Sequence, residues 1–456
     1  MSDSSIEAGG SQSYWCELAW LGSESVEVAE PGVLLTVSAG RIAELTRCAT
    51  PPADAVRLNG LTIPGMANAH SHAFQRALRG RTQTGTGTFW TWREQMYELA
   101  GAIDPDGYRE LARATFAEMA LAGITLVGEF HYLHHGPRGV PYANPNEMGE
   151  VILQAATAAG VRVSLLDTCY LQGGIGEPLS SVQLRFADRD AQAWRERVGA
   201  LAPGREAQLG AAIHSVRAVD PASAREVAAW AAEHDAPLHA HVSEQPAENE
   251  QCKAAYGATP TVILSEQAAL SPRFTAVHAT HLSATDIELL AGAGATCCLC
   301  PTTERDLADG VGDARALRMA GARLALGSDS HAVIDHFEEA RAMELDERLA
   351  SLQRGRHSPA ALLGAATAGG YACLGWPDGG RLMPGALADF TTVGLDGVRL
   401  AGTSAEDALA AVVFAAGAGD VRHVVVGGRE IVRDGRHLSI DVAAELGRAI
   451  ATVTST

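Results

Sequence analysis

Residues 64–72 read PGMANAHSH, and this stretch determines the fold that the rest of the chain has to complete. The apolar run Leu61–Ala67 leads into it and has the length of a buried strand. Alternate residues of an extended segment point the same way, so His70 and His72 can present two imidazoles to one ion. The stretch therefore predicts a strand followed by a metal site, although a His-x-His pair alone is often structural or solvated.

Outward from this stretch, short apolar runs alternate with longer amphipathic ones, a pattern typical of βα units and a parallel sheet. Asp220 before a proline, and Ser283 three residues before an acid, indicate helix starts between the runs. The predicted strands are residues 61–67, 124–130, 161–167, 208–213, 237–242, 274–278, 295–300 and 323–327. Eight strands alternating with helices favour an α/β fold, a (β/α)8 barrel of the TIM type.

The structural alternative is an open, doubly wound sheet, which requires a glycine fingerprint after an early strand. The nearest match, GGIG at residues 173–176, comes too late in the chain and fits a flexible loop better. Residues 1–60 and 380–456 contain short β-like runs with turns. We predict that the two end segments form a small β-sandwich domain beside a barrel of residues 61–379.

The composition is that of a globular protein, with 47% hydrophobic and 20% charged residues among 456. A net charge of -19 argues against a nucleic-acid partner, because phosphate binding requires clustered cations. Eight scattered cysteines indicate a reduced, cytoplasmic protein. The first residues lack a leader pattern and no apolar run is long enough to span a bilayer, so no membrane association is expected.

Further metal-type residues follow the predicted strands. His241 ends the fifth strand, His278 ends the sixth and Asp329 follows the eighth. In barrel enzymes the active site lies at the carboxyl ends of the strands. Each residue alone is more often a hydrogen-bonded structural one, but together with the pair on the first strand they predict a single metal site.

These positions resemble the amidohydrolase superfamily over essentially the whole chain. The resemblance implies four metal ligands, namely His70, His72, His241 and Asp329. It also implies that Asp329 accepts a proton from the attacking water and that His278 orients this water. Glu244, three residues beyond a ligand, is then the proton donor, although it can also be read as a solvent-facing loop residue.

Many members of the superfamily hold two ions bridged by a carboxylated lysine on the fourth strand. Lys253 is the only lysine here and lies beyond the fifth strand, while the fourth strand ends in His214. We therefore expect one divalent ion, zinc by preference, although imidazole and carboxylate ligands also suit iron. Such an ion lowers the pKa of its water towards about 7 for attack on an sp2 carbon that bears nitrogen. The resemblance also implies a homodimer.

Three runs, residues 70–78, 89–94 and 129–135, look like the formimidoylglutamate deiminases of that superfamily. The resemblance implies five substrate contacts, namely Gln75, Arg93, Tyr132, His214 and Arg217. N-formimino-L-glutamate carries two carboxylates and a cationic amidine, and arginine holds a carboxylate through two parallel hydrogen bonds. The expected reaction is hydrolysis of this dicarboxylate to N-formyl-L-glutamate and ammonia, as in histidine degradation.

Several alternatives stay open. The enzyme class includes deaminases of purines, pterins and related heterocycles, whose pockets use aromatic stacking and few cations. A different class is a non-catalytic barrel that serves in binding or assembly. Arg93 can also stack on the neighbouring tryptophans, Arg217 can be an ordinary salt-bridge residue, and the loop 79–88 can shift Arg93 relative to the pocket.

Two further clusters favour packing over a second metal site. Residues 131–135 contain three histidines, which can bind metal adventitiously. Residues 297–300 contain three cysteines within a predicted strand, and no second cysteine pair completes a zinc tetrahedron.

Overall fold

The structure is a computed structural model that describes residues 11–83 and 86–455. Most of the initial segment examined for a leader pattern lies outside these residues, as do positions 84 and 85 of the loop 79–88. Within the described ranges, no helix combines the length and apolar character that crossing a membrane requires.

A parallel sheet forms the barrel, as predicted. In the described part of the chain its eight strands pair in sequence order. They are β5 (Met66–Ser71), β6 (Ile124–His131), β7 (Arg162–Cys169), β8 (Ala207–Ile213), β9 (Leu238–Val242), β10 (Phe274–His278), β11 (Thr296–Leu299) and β12 (Arg323–Leu326). The two sheet edges meet where Ser71 bridges in parallel to Asp329. The Asp329 amide donates to the His70 carbonyl at 3.0 Å, so the barrel closes beside the predicted ligands.

The predicted first strand is wrong in one respect. The run 61–67 spans two strands, because β4 (Val56–Pro64) belongs to another sheet and β5 starts only at Met66. Pro64 has no amide hydrogen to continue the ladder. A Cβ on Gly65 would lie 2.1 Å from the hydroxyl of Thr125, so only glycine fits the corner between the strands. His70 consequently lies within a strand, while the other seven predictions agree with the structure to within two residues at each end.

Both ends of the chain contribute to a second sheet. Its strands are β1 (Gln12–Ala19), β2 (Glu30–Ser38), β3 (Arg41–Arg47), β4, β13 (Phe390–Val393), β14 (Val421–Val426), β15 (Arg429–Arg433) and β16 (Arg436–His437). They pair in the order β16-β15-β14-β13-β4-β1-β2-β3 as one continuous sheet. Neighbours are antiparallel except β1 and β4, which run parallel. The separate β unit expected from the two end segments is therefore present.

Helices connect the strands and cover the barrel. They are α1 (Phe89–Ala102), α2 (Pro105–Leu121), α3 (Glu147–Ala159), α4 (Ala191–Val198), α5 (Pro221–Glu233), α6 (Pro246–Tyr256), α7 (Pro260–Glu266), α8 (Ala284–Gly292), α9 (Pro301–Asp306), α10 (Ala314–Ala320), α11 (His336–Ser351), α12 (Pro359–Gly364), α13 (Gly370–Cys373), α14 (Ala408–Ala415) and α15 (Val442–Thr454). A π-helix spans Ala365–Gly369. Short 3-10 helices lie at Ala73–Leu78, Pro137–Gly139, Gln183–Arg185 and Ala418–Asp420. The Asp220 carboxylate caps α5, and Ser283 forms a capping box at α8, as the sequence predicts.

A buried ion pair joins the barrel to the second sheet. Arg162 of β7 donates to both carboxylate oxygens of Asp389, at 2.7 and 3.2 Å. Asp389 also accepts hydrogen bonds from the Tyr371 hydroxyl at 2.8 Å and from the Gly427 amide at 2.6 Å. Because both charges are paired and the remaining lone pairs are used, this joint fixes one unit against the other.

Candidate active site

The four predicted metal ligands converge at the carboxyl ends of the barrel strands. The Asp329 Oδ1 atom lies 3.1 Å from His70 Nε2 and 3.3 Å from His72 Nε2. His241 Nε2 lies 3.2 Å from His70 Nε2. All four residues are buried. Strands β5 and β9 and the turn after β12 thus bring four donor atoms together around one point.

The donor set fits a divalent cation. The Nδ1 atom of His72 donates to the Phe130 carbonyl at 2.9 Å, and that of His241 donates to the His214 carbonyl at 2.8 Å. A carbonyl oxygen can only accept, so each neutral ring keeps its proton on Nδ1 and presents the Nε2 lone pair inwards. A cation at this point would bind these lone pairs and the carboxylate together. Lone pairs that face one another with no cation between them repel.

Electrostatics keep the ligands in the required protonation states. Burial lowers the pKa of His70 to about 3 and that of His241 well below its usual range, so both imidazoles are neutral. Burial alone would raise the pKa of Asp329, but the neighbouring imidazoles of His70 and His72 outweigh it and hold this pKa well below its ordinary value. Neutral imidazoles and an ionised carboxylate are the forms that bind metal.

His278 lies at the same centre but has different surroundings. Ligand atoms of His70, His241, His278 and Asp329 all lie within 4.8 Å of one another. His278 Nε2 is 3.8 Å from Glu244 Oε1, and its Nδ1 is 3.4 Å from Glu304 Oε1. Burial would lower the pKa of His278, but the carboxylates of Glu244, Glu304 and Asp329 outweigh it and raise the pKa to about 10. His278 is thus a protonated ring facing the site.

Backbone strain accompanies this arrangement. His278 has φ of 66° and Asp329 has φ of 43°, both in the left-handed region that non-glycine residues rarely adopt. Such conformations cost about 1–3 kcal/mol each and persist where surrounding contacts hold them. At both positions the strained turn directs a side chain from the end of a strand into the site.

A cavity of about 600 Å3 opens next to this centre. All five predicted substrate contacts line it, namely Gln75, Arg93, Tyr132, His214 and Arg217. Gln75 Nε2 donates to the Tyr132 hydroxyl at 3.1 Å, while its buried Oε1 has no hydrogen-bond partner among the residues that the structure describes. The Arg93 guanidinium lies 4.5 Å from the centre of the Trp90 ring. The aromatic stack considered as an alternative therefore exists, and it holds Arg93 at the cavity wall.

Arg217 is tied to the predicted proton donor. Its Nη2 donates to Glu244 Oε2 at 2.9 Å, and its Nε lies 3.9 Å from Glu248 Oε1. Burial would lower the pKa of Arg217, but Glu248 and Glu244 raise it, so the guanidinium remains charged. Arg217 therefore forms the salt bridge considered as an alternative, and it also lines the cavity.

Sequence reasoning missed two buried carboxylates and most of the aromatic wall. Glu304 accepts from the Cys300 amide at 2.8 Å and contacts His278. Glu248 accepts from the Glu244 amide at 3.1 Å. Both follow the end of a barrel strand, the same signal that identified the ligands. The added aromatic lining consists of Phe89, Trp92, Tyr97, Tyr170 and Phe186, and the loop 173–175 completes the wall.

The histidine run at 131–135 lies where packing explains it. Donor atoms of His131, His134 and Asp167 lie within 4.8 Å of one another, but Asp167 accepts two hydrogen bonds of 2.8 Å from Arg197. Lys253 is exposed on α6, away from the fourth barrel strand.

The model of the amidohydrolase family matches residues 61–431, which include the barrel and all the candidate site residues. The chain belongs to the amidohydrolase family. This amidohydrolase is 37% identical over 432 residues to formimidoylglutamate deiminase of Pseudomonas aeruginosa, covering 92% of this chain and 93% of that protein. It is 30% identical to 8-oxoguanine deaminase of the same organism, covering 92% and 94%. A crystal structure of an amidohydrolase from Brucella melitensis superposes with a TM-score of 0.88 at 33% identity, covering 97% of this chain and 99% of that one.

The family and the deaminases among its relatives together give the reaction class. This amidohydrolase is a deaminase that hydrolyses a C–N bond. The family is metal-dependent, in agreement with the donor set at the barrel mouth. The alternative of a non-catalytic barrel that serves in binding or assembly is therefore not supported.

Proposed function

We propose that this deaminase hydrolyses N-formimino-L-glutamate to N-formyl-L-glutamate and ammonia. The observation that carries the proposal is the presence of two arginines, Arg93 and Arg217, in the wall of the cavity that opens on the histidine and aspartate cluster. A linear dicarboxylate requires two such groups. Similarity to formimidoylglutamate deiminase over 92% of the chain supports the same substrate.

The two arginines suit carboxylates because a guanidinium offers parallel N–H donors that match a carboxylate. Their charges act locally against a protein of net charge -19. Arg93 reaches the cavity from α1, and Arg217 from the loop after β8. Since the two side chains come from different parts of the barrel rim, they can hold the two carboxylates of one substrate apart.

The metal belongs to the four-ligand cluster. His70, His72, His241 and Asp329 would hold one divalent ion. When bound there, such an ion acts as a Lewis acid and makes water acidic enough to attack at neutral pH.

The remaining chemistry belongs to the side chains of the chain itself. Asp329 accepts a proton from the attacking water, and the protonated His278 ring orients this water towards the formimino carbon. Glu244 lies 3.8 Å from His278 and gives a proton to the terminal amidine nitrogen. A C–O bond forms, the C–N bond to that nitrogen breaks, and the remaining hydroxyl proton passes to the Glu244 carboxylate as the formyl C=O bond forms, so ammonia leaves with the N-formyl group retained on glutamate.

One observation favours a second candidate, deamination of a heterocycle. Six aromatic side chains beyond the predicted contacts line the cavity, and flat rings stack well on such walls. The relative 8-oxoguanine deaminase also covers 92% of this chain. The two candidates differ in whether catalysis depends on arginine pairing with substrate carboxylates.

Several finer points belong to the same proposal and remain predictions. These are zinc as the metal, one ion in the catalytic site, a cytoplasmic location, a homodimer, and the domain limits 1–60 plus 380–456 and 61–379.

The proposal is tested by comparing N-formimino-L-glutamate with N-formiminoglycine, which has the same amidine but only one carboxylate. We expect kcat/KM to fall about 10-fold or more for the shorter substrate, because a charged hydrogen bond is worth about 1.5–3 kcal/mol. In an Arg93→Ala, Arg217→Ala double variant this preference should disappear. Equal kcat/KM for both substrates in the wild type would contradict recognition of the second carboxylate.

A further inference from the structure

A second group of metal-type side chains lies behind the catalytic centre. Donor atoms of His278, Cys300 and Glu304 all lie within 4.8 Å of one another. All three residues are buried, with exposures of 1%, 0% and 5%. His278 ends β10, Cys300 follows β11, and Glu304 lies in the first turn of α9. Adjacent strands and a helix start thus bring one nitrogen, one sulfur and one oxygen donor together.

This group uses the other edge of the His278 ring. Nδ1 faces Glu304 at 3.4 Å, whereas Nε2 faces Glu244 and the cavity at 3.8 Å. An ion bound at Nδ1 therefore occupies a place distinct from the cluster of His70, His72, His241 and Asp329. The sequence analysis disfavoured zinc at residues 297–300 because no second cysteine pair was present. The fold provides the His278 imidazole and the Glu304 carboxylate as the other ligands.

We propose that His278 Nδ1, Cys300 Sγ and a Glu304 carboxylate oxygen form a second cation site, suited to zinc and other thiophilic divalent ions, that regulates the enzyme by inhibition. One nitrogen, one sulfur and one oxygen ligand plus a water complete the tetrahedron that zinc prefers. With Zn–S of about 2.3 Å and Zn–N of about 2.0 Å, donors in such a site are separated by roughly 3.5 Å. His278 Nδ1 and Glu304 Oε1 already have this spacing. Only the sulfur of Cys300 has to move closer to these two atoms.

Charge is conserved when the ion binds. The thiol S–H bond breaks as the sulfur binds the cation, and His278 gives up its Nδ1 proton. One dication enters and two protons leave to solvent, so the buried region keeps its net charge. The neighbouring carboxylates of Glu244 and Glu304 stabilise the incoming cation as they stabilise the protonated ring.

The expected consequence is loss of activity. His278 bound through Nδ1 is held by the ion and cannot turn to orient water, so a filled second site slows turnover. This consequence rests on the role proposed for His278, whereas the existence of the site does not. Because the second ion must displace two protons, it should bind more weakly than the first.

Cobalt(II) distinguishes the two sites directly. The catalytic cluster has only nitrogen and oxygen donors, so a thiolate-to-cobalt charge-transfer band in the near ultraviolet can arise only from a site that contains cysteine. We expect the first equivalent of Co2+ added to the metal-free enzyme to give visible bands alone, and the second to add the charge-transfer band. Cys300→Ala should abolish this band, whereas Cys16→Ala, which alters an equally buried cysteine in the second sheet, should keep it.

Inhibition gives the second readout. Excess zinc should lower the rate of ammonia release by wild type about 10- to 100-fold, the range seen when groups around a metal site are perturbed. Cys300→Ala should retain basal activity and resist this inhibition. Absence of the charge-transfer band in wild type, or its persistence in Cys300→Ala, would overturn the proposed site even if the substrate assignment is right.

Discussion

At the residue scale, the site is organised by which charges are paired. Arg217 is held between Glu244 and Glu248, whereas Arg93 is held by an aromatic stack on Trp90. The sequence could predict that both arginines face the site, because each matches a family position. It could not predict the pairing of Arg217 with Glu244, since this contact depends on how the loops after β8 and β9 approach each other.

Glu244→Gln removes the proposed proton donor while keeping its shape. We expect kcat for ammonia release to fall about 10²- to 10⁴-fold, the usual contribution of a positioned acid. The metal content of the variant should stay that of the wild type, because Glu244 is not among the four ligands. Rate and metal content are measured on the same preparation, and an unchanged kcat would remove Glu244 from the mechanism.

Arg93→Ala removes one carboxylate partner without leaving a buried acid unpaired. The loss of a charged hydrogen bond of about 1.5–3 kcal/mol should lower kcat/KM for N-formimino-L-glutamate about 10- to 150-fold. Arg225→Ala, on the exposed side of α5, is the matched control and should leave kcat/KM unchanged. Similar kinetics for the two variants would argue that Arg93 serves only the aromatic stack.

At the scale of elements, most of the candidate site could be predicted from residues at the ends of strands. A histidine or acid at the carboxyl end of a parallel strand is recognisable from local sequence alone, which is why the sequence could predict residues that the fold brings together. The same rule could have found Glu304, but it lies five residues beyond the end of strand β11, in a helix whose start was not predicted. The division of 61–67 at Pro64–Gly65 was missed because both strands are apolar and no polar turn separates them.

Gly327 tests how strand β12 supports the ligands. A Cβ at this position would lie 2.7 Å from His70 Cβ and 3.0 Å from Cys300 Sγ. Gly327→Ala should therefore displace β5, destabilise the fold by about 1–3 kcal/mol and weaken metal binding. Thermal melting and metal titration measure the two effects.

The matched control is Gly292→Ala near the end of α8, where no atom of the described part of the chain, beyond the immediate helix backbone, lies within 4 Å of the added methyl group. Its Tm should be equal to that of wild type or slightly higher, because alanine favours the helix. If Gly327→Ala behaved like this control, the close contact between β12 and His70 would not be needed.

At the scale of the whole molecule, Asp389 joins the barrel to the second sheet. Asp389→Ala leaves Arg162 without this buried partner, a change that typically costs about 3–5 kcal/mol. Asp378→Ala breaks the exposed pair with Arg41 and should cost less than about 1 kcal/mol. Denaturant unfolding compares the two, and equal losses of stability would mean that the joint does not hold the two units together.

The most direct test of the proposed substrate is to measure ammonia release by the zinc-loaded protein from four compounds side by side. These are N-formimino-L-glutamate, guanine, adenosine and N-formyl-L-glutamate, the last serving as the product control. We expect rapid ammonia release from N-formimino-L-glutamate alone, because only this compound combines an amidine with two carboxylates for Arg93 and Arg217. Turnover of a heterocycle with no release from N-formimino-L-glutamate would retain the deaminase chemistry and contradict the assignment of the two arginines.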